Sequence, residues 1–148
     1  MATAKLALQI FDGGLSCAEA VAMAGLKRTG HQSDLIPRLA TGFAAGLSRT
    51  KSVCGALAGG VLVLGAAFGR DKLGDDRDVL VAKVQSLVNG FRARFGSDNC
   101  FALTGLDFND PGAYVVYRQR VHAQCREYVK HVCEQLDELC GDREPSPT

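Results

Sequence analysis

Cysteine is the residue type in this chain best placed to do chemistry. Of the six cysteines, three lie where a helix is expected to begin: Cys17 directly follows a capping serine, and Cys54 and Cys100 follow a serine by two and three residues. The N–H groups and partial positive charge of a helix N-terminus favour a thiolate over a thiol. We therefore predict lowered pKa values for these three cysteines, because a thiolate is the form that binds iron or attacks a disulfide.

The spacing of the cysteines excludes several common sites. No C-x-x-C pair occurs, so neither a thioredoxin-type motif nor a zinc ribbon is supported, and the bacterial ferredoxin run is absent too. Any metal or cluster must gather ligands from separate helices. Cys125, Cys133 and Cys140 share the last predicted helix on broadly one face, and we interpret Cys133 and Cys140 as packing residues or bystanders. His122, on the same helix, is either a ligand or base beside Cys125 or a structural or surface histidine.

Small residues follow Cys54 and allow two interpretations. The candidates are Gly55, Ala56 and Gly59. Glycines beside a ligand let the backbone approach closely and direct N–H groups at sulfur, whereas the same glycines also serve helix–helix packing. Spacing alone does not decide between cofactor binding and packing.

The residues that begin at Cys54, CGALAG, resemble the CGAxxG signature of the C_GCAxxG_C_C family of redox-active proteins. The order of the other cysteines is similar to the family pattern. Cys17 in LSCAEAV resembles the first family cysteine, Cys100 in FGSDNCFALTG the third and Cys125 in QCREYV the fourth. The similarity runs from residue 11 to about residue 139. Where the family often has several glycines in a row before the motif, residues 42–46 here read GFAAG, which leaves the local backbone open.

The resemblance implies a redox role. A related domain in split-Soret cytochromes implies an iron–sulfur site, so an iron–sulfur cluster is the expected cofactor. The four matched cysteines are then its ligands, or redox-active thiols if no metal is bound, and Gly55, Ala56 and Gly59 are the expected cofactor-binding residues. The resemblance implies no substrate, and we assign no enzymatic reaction.

Helices must position these cysteines, since no segment shows the alternation of a strand. Helices are predicted over residues 4–11, 16–27, 37–43, 53–68, 75–95, 99–104 and 110–139, the last with a break near 122–124. Ser16 and Glu19 have the pattern of a capping box. The apolar stripe of the 75–95 helix comprises Val79, Leu80, Val84, Leu87, Val88 and Phe91. We predict an all-α fold, a compact bundle of about five to six helices around the Gly/Ala-rich helix 53–68.

Composition limits the remaining choices. The length fits one domain, 1–148, with residues 141–148 as a disordered tail. The net charge of +1 lacks the basic excess of a nucleic-acid surface, so no nucleic-acid partner is expected. The run 53–68 is shorter than the ~20 residues of a membrane span, so no stable membrane insertion is expected. Without a signal-peptide pattern we place the protein in the cytoplasm, where thiols stay reduced.

Three functions remain open. The first is electron transfer or redox sensing through an iron–sulfur cluster bound by Cys17, Cys54 and Cys100, with Cys125 as fourth ligand and an unknown redox partner. The second is metal-free thiol–disulfide exchange, pairing Cys54 with Cys100 or Cys17. The third is a non-enzymatic helical interaction module or transport-associated accessory protein. We expect a homodimer through the 53–68 helix, and in that case Gly59→Leu breaks the dimer.

Overall fold

A computed structural model describes residues 2–141 of the chain. Its α-helices are α1 (Ala2–Asp12), α2 (Cys17–Thr29), α3 (Arg38–Thr41), α4 (Gly55–Phe68), α5 (Asp78–Phe95), α6 (Cys100–Thr104), α7 (Ala113–Val116) and α8 (His122–Leu139). A π-helical segment, Tyr117–Val121, joins α7 to α8, and one further helical turn, Ala44–Arg49, has left-handed backbone angles. No β-strand occurs in residues 2–141, which confirms the all-α prediction.

Helix α4 occupies the centre of the bundle and packs against α2, α5 and α8. Glycines make this close packing possible. A Cβ atom on Gly59 would lie 2.7 Å from the Ala18 carbonyl oxygen of α2, and one on Gly60 would lie 2.8 Å from Val132 of α8. Gly59 is therefore buried in a contact within the chain and does not present an exposed face for a dimer.

The other long helices are tied to this core at their ends. Ser16 caps α2 as predicted: the backbone N–H of Glu19 donates to Ser16 Oγ at 3.2 Å, and the Ser16 N–H donates to the Glu19 carboxylate at 3.0 Å. The buried Thr3 hydroxyl of α1 donates to the Asp137 carboxylate of α8 at 2.8 Å. This bond joins the first helix to the last.

Several helix bounds differ from the predictions. The helix predicted over 37–43 is only Arg38–Thr41, and α5 begins at Asp78 instead of residue 75. Leu87 and Phe91 of the predicted stripe are fully buried, but Val79, in the first turn of α5, is 54% exposed. The tail predicted for residues 141–148 lies outside the described residues, apart from Gly141.

The break predicted near residues 122–124 lies slightly earlier in the chain. The segment predicted over 110–139 starts at Ala113, widens into the π-helical turn Tyr117–Val121 and becomes regular from His122. A π turn takes an additional residue and rotates the side chains before it relative to those after it. Tyr117 and Cys125 are placed relative to each other by this turn.

A histidine lies in an aromatic cluster between α5 and α8. The His131 ring lies 5.2 Å from the Phe95 ring and 6.0 Å from the Phe91 ring, measured between centroids. Its Nε2 atom has no hydrogen-bond partner within residues 2–141. Burial lowers the pKa of His131 and the nearby Arg94 lowers it further, while Glu134 and Glu138 act in the opposite direction.

None of the helices in the described part of the chain combines the length and the apolar character that a membrane crossing requires.

Candidate functional site

Three of the predicted site cysteines do lie at helix N-termini. Cys17 is the first residue of α2, Cys100 is the first residue of α6, and Cys54 is the N-cap of α4. Asn99 caps α6, where its side-chain oxygen accepts a hydrogen bond from the Ala102 N–H at 2.9 Å. Side-chain caps therefore fix the helix ends at Cys17 and Cys100, whereas α4 begins at Cys54 without a side-chain cap.

A short antiparallel bridge brings two of these helix ends together. The Cys54 N–H donates to the Asp98 carbonyl at 2.8 Å, and the Cys100 N–H donates to the Ser52 carbonyl at 2.7 Å. The bridge pairs Val53 with Asn99, the residues directly before the two cysteines. Cys54 and Cys100 are thus held side by side although they lie far apart in the sequence.

The helix ends surround one cavity of about 290 Å³. The sulfur-bearing residues of its lining are Cys17, Cys54 and Cys100. Cys125, on α8, is half-buried near these three cysteines. Burial raises its pKa, and the nearby Cys54 and Cys100 raise it further. All four cysteines matched to the family pattern therefore come from separate helices to one region.

Burial sets the protonation state of these thiols. It raises the pKa of Cys17 to about 12, and the neighbouring Cys125 and Cys100 add to the rise. Burial likewise raises the pKa of Cys54 and of Cys100. The lowered pKa values predicted from helix position alone are therefore wrong, because loss of water disfavours a thiolate more than the helix N-terminus favours it.

Backbone N–H groups nevertheless point at the sulfurs. Those of Ala18 and Ala56 act on Cys17 and those of Ala56 and Leu57 act on Cys54, and they lower the pKa of each thiol against the effect of burial. These donors lie in the first turns of α2 and α4, where N–H groups have no partner within the helix. The first turn of α4 therefore supplies N–H groups that would stabilise negative charge on a cysteine sulfur.

Glycines allow the backbone to reach the sulfurs at two points. A Cβ on Gly55 would lie 2.7 Å from Cys17 Sγ, and a Cβ on Gly46 would lie 2.7 Å from Cys100 Cβ. Gly55 also lines the cavity, and Ala56 is fully buried beside it. Gly59, the third predicted cofactor-binding residue, instead packs on Ala18 and Val21 of α2.

The left-handed turn forms one wall of the cavity. Ala45 has φ 55° and ψ 43°, and the next three residues have φ of 69°, 64° and 55°. For a residue other than glycine this conformation costs about 1–2 kcal/mol. Hydrogen bonds hold the turn in place: Ser52 N–H to the Gly46 carbonyl at 2.9 Å, and Asn109 Nδ2 to the Arg49 carbonyl at 2.9 Å. Only the last two residues of GFAAG, Ala45 and Gly46, enter the left-handed region, which continues through Leu47 and Ser48. Gly46 is the only glycine among these four positions.

Aromatic side chains also line the cavity, and no motif in the sequence marks them. The cavity is lined by Phe11, Phe108, Tyr114 and Tyr117. The Phe108 ring lies 5.2 Å from the Tyr114 ring and 5.7 Å from the Tyr117 ring. Their sequence spacing carries no motif, so only the tertiary structure brings them to the cavity.

The remaining candidates lie outside the cavity lining. The His122 ring stacks on Phe11 at 4.6 Å, and its Nε2 atom lies 3.8 Å from an oxygen of Asp12. Cys133 and Cys140 are buried in the main core, as expected for packing residues. No observation gives any of these three side chains a role at the cysteines.

An all-cysteine donor set implies a metal ion or an iron–sulfur cluster. No group of three or more His, Cys, Asp or Glu side chains in residues 2–141 is arranged to hold a metal ion. Around a single tetrahedral ion with bonds of about 2.3 Å, thiolate sulfurs lie about 3.8 Å apart. The sulfurs here instead border a cavity of about 290 Å³, which has room for a group of several atoms. The all-sulfur donor set and its N–H donors fit such a group.

Comparison with known families agrees with this arrangement. Residues 15–139 match the family described as "Putative redox-active protein (C_GCAxxG_C_C)". The chain belongs to this family. The match covers most of the sequence, includes Cys17, Cys54, Cys100 and Cys125, and supports a redox-active protein as the description of the chain. No curated protein and no solved structure matches the chain.

Proposed function

We propose that this member of the redox-active family carries an iron–sulfur cluster for electron transfer or redox sensing, held by Cys17, Cys54, Cys100 and Cys125. The observation that carries the proposal is the convergence of these four thiols from α2, α4, α6 and α8 on one region. Iron–sulfur clusters in proteins are held mainly by cysteine thiolates, often four of them.

Each part of the cavity has a role in this proposal. The cluster would supply a centre that takes up and releases one electron at a time. The N–H groups of Ala56 and Leu57 stabilise negative charge on the sulfurs that they contact. Gly55 and Gly46 let the backbone lie against Cys17 and Cys100, and the aromatic wall limits the access of water.

Metal-free thiol–disulfide exchange receives less support from the site. An attacking cysteine needs some exposure and thiolate character. Cys54 is only 5% exposed, and burial raises the pKa of Cys17 and Cys54. A buried neutral thiol attacks slowly, whereas a bound metal deprotonates its thiol ligands outright.

The proposal is tested by anaerobic reconstitution with ferrous iron and sulfide. The protein is desalted, and iron, acid-labile sulfide and the visible absorption spectrum are measured per chain. We expect stoichiometric iron and sulfide with broad visible absorption. Cys54→Ala and Cys125→Ala should lose most of this absorption, because each removes one of the thiolate ligands.

The matched control is Cys133→Ala, which removes a buried thiol eight residues along the same helix as Cys125. It should bind as much iron as the wild type. Far-UV circular dichroism of each metal-free variant checks that the fold is retained. Wild-type protein that stays colourless and iron-free would overturn the proposal, as would equal iron content in the Cys125 and Cys133 variants. A change in free thiol count between oxidised and reduced wild type, without iron, would instead support thiol–disulfide exchange.

A further inference from the structure

A second cavity, an open groove of about 350 Å³, is lined by α1, α2 and residues 32–36. Most of its lining is aliphatic, and the lining residues are Leu6, Ile10, Met23, Leu26, Lys27, Gln32, Ser33 and Ile36. Met23 follows Cys17 on α2 by six residues, a distance of roughly 9 Å along the helix axis. This α1–α2 groove shares no lining residue with the cysteine cavity and is a separate feature of the surface.

Two exposed leucines lie directly beside the groove. Leu35 lies in the chain between Ser33 and Ile36, which both line the groove, and it is 52% exposed. The Leu39 N–H donates to the Leu35 carbonyl at 2.9 Å, and Leu39 is 55% exposed. Residues four apart in a helical turn lie on the same face. Leu35 and Leu39 therefore form an apolar ridge next to the apolar groove.

The ridge and the groove are complementary in size. A cavity of roughly 150 Å³ holds a benzene molecule, which is larger than a leucine side chain. The groove of about 350 Å³ therefore has room for two leucine side chains. The leucines of the same chain remain more than half exposed, so they do not fill it. A two-fold symmetric contact requires one surface patch to carry both complementary parts, as this patch does.

Charged residues beside the ridge and the groove are complementary too. Asp34 directly precedes Leu35, whereas Lys27 lines the groove, and both side chains are exposed. Neither forms an ion pair with another residue in the described range 2–141. When the ridge of one copy enters the groove of a second copy, Asp34 of each chain comes beside Lys27 of the other. Two-fold symmetry forms this pair twice.

We propose that two copies of this chain form a two-fold symmetric dimer in which the Leu35–Leu39 ridge of each copy fills the α1–α2 groove of the other. Apolar contacts form the centre of this interface, and the ion pairs lie at its polar rim. Met23 favours such a contact, because its flexible side chain adapts to a partner surface. The interface differs from the dimer through α4 that the sequence led us to expect, and it includes no residue of the cysteine cavity lining.

Sedimentation velocity of the metal-free chain at about 1–100 μM tests the proposal, in reducing buffer so that no disulfide joins two copies. We expect twice the mass of one chain at the upper concentrations. Leu35→Asp should weaken the dimer by more than about tenfold, because it buries an unpaired carboxylate in an apolar groove. The matched control is Leu73→Asp, the same change at a 91% exposed position outside the groove, and it should dimerise as the wild type does.

The ion pair is tested by exchanging its charges. Lys27→Asp and Asp34→Lys each place like charges opposite one another, and each should weaken the dimer about three- to tenfold, because symmetry uses the pair twice. The double variant Lys27→Asp/Asp34→Lys restores the pair in reverse and should return the dissociation constant to within about threefold of the wild type. Far-UV circular dichroism checks that every variant is folded.

The outcomes are separate from those for the proposed function, because none of these variants changes a site cysteine. A wild type that stays monomeric would refute the dimer, as would equal dimerisation of Leu35→Asp and Leu73→Asp. A double variant no better than the two single variants would refute the ion pair that orients the two copies, and growth beyond two copies would contradict the closed arrangement. A monomeric wild type that binds anilinonaphthalenesulfonate, with binding lost in Met23→Asp, would instead assign the groove to a small apolar ligand.

Discussion

Replacing Ala45 by glycine should stabilise the folded chain, although glycine usually destabilises a helical turn. Ala45 has φ 55° and ψ 43°, in the left-handed region that glycine enters without strain. The side chain of alanine costs about 1–2 kcal/mol there. Glycine adds about 0.5–1 kcal/mol of conformational entropy cost on folding. Subtracting the second range from the first leaves a net stabilisation of about 0–1.5 kcal/mol.

The matched control is Ala66→Gly, the same chemical change at an exposed position inside the right-handed helix α4. Only the entropy cost applies at Ala66, so this variant should lose about 0.5–1 kcal/mol. Together the two variants should differ in unfolding free energy by about 1–2 kcal/mol, which is the left-handed penalty itself.

Urea denaturation of the metal-free proteins, followed by circular dichroism, measures this difference. With a slope of about 1–3 kcal/mol per molar urea, the two midpoints should be separated by several tenths of a molar or more. The Ala45 variant should unfold above the wild-type midpoint and the Ala66 variant below it. Equal losses of stability in both variants would show that the backbone at Ala45 is not left-handed, and the reasoning about the cavity wall would fail with it.

Two further predictions concern packing and pH. Gly55→Ala should lose about 1–3 kcal/mol in urea unfolding, since the added Cβ would meet Cys17 Sγ at 2.7 Å. Gly65→Ala, which meets nothing within 4 Å, should be neutral or stabilising, and a loss equal to that of Gly55→Ala would contradict the steric argument. Because burial and Arg94 lower the pKa of folded His131, the unfolded chain binds the proton more readily, and folding should weaken as pH falls below about 6.5. In His131→Phe, the urea midpoint should therefore change less between about pH 8 and pH 5.5 than it does in the wild type. An unchanged pH dependence would contradict the lowered pKa of His131.

Local signals predicted the helix ends well. The Ser16–Glu19 box and the first residue of α2 follow from side chains that satisfy neighbouring N–H groups, an interaction complete within four residues. A serine signal also predicted a helix from residue 99, and α6 begins at Cys100, although its cap is Asn99 and not Ser97. Because such contacts need no other part of the chain, sequence patterns are sufficient to find them.

Periodicity was a weaker guide at the edges of the bundle. It identified α5 and the buried residues Leu87 and Phe91, but it counted the exposed Val79 in the same stripe. Likewise, Gly59 was expected to take part in cofactor binding or dimer contact and instead packs on α2. An apolar or small residue shows that a face can be buried, whereas its partner depends on how the helices are arranged.

The left-handed turn and Tyr117 carried no signal that could be read from the sequence. Glycine is the usual mark of positive φ, yet Ala45, Leu47 and Ser48 adopt it, held by hydrogen bonds from distant residues. A π turn sets the position of Tyr117 relative to the cysteines, and no residue pattern predicts this turn. Both features depend on contacts between segments far apart in the chain.

Residue types and spacing were enough to establish a helical chain, the cysteines at its helix ends and the likeness to a redox family, since each depends on short-range order along the chain. The meeting of Cys17, Cys54, Cys100 and Cys125, and their protonation, came from packing. A helix N-terminus favours a thiolate by a local field, but removal of water by neighbouring helices outweighs that field. The chemistry of these sulfurs is therefore a property of the assembled bundle and of the N–H groups and rings that surround them.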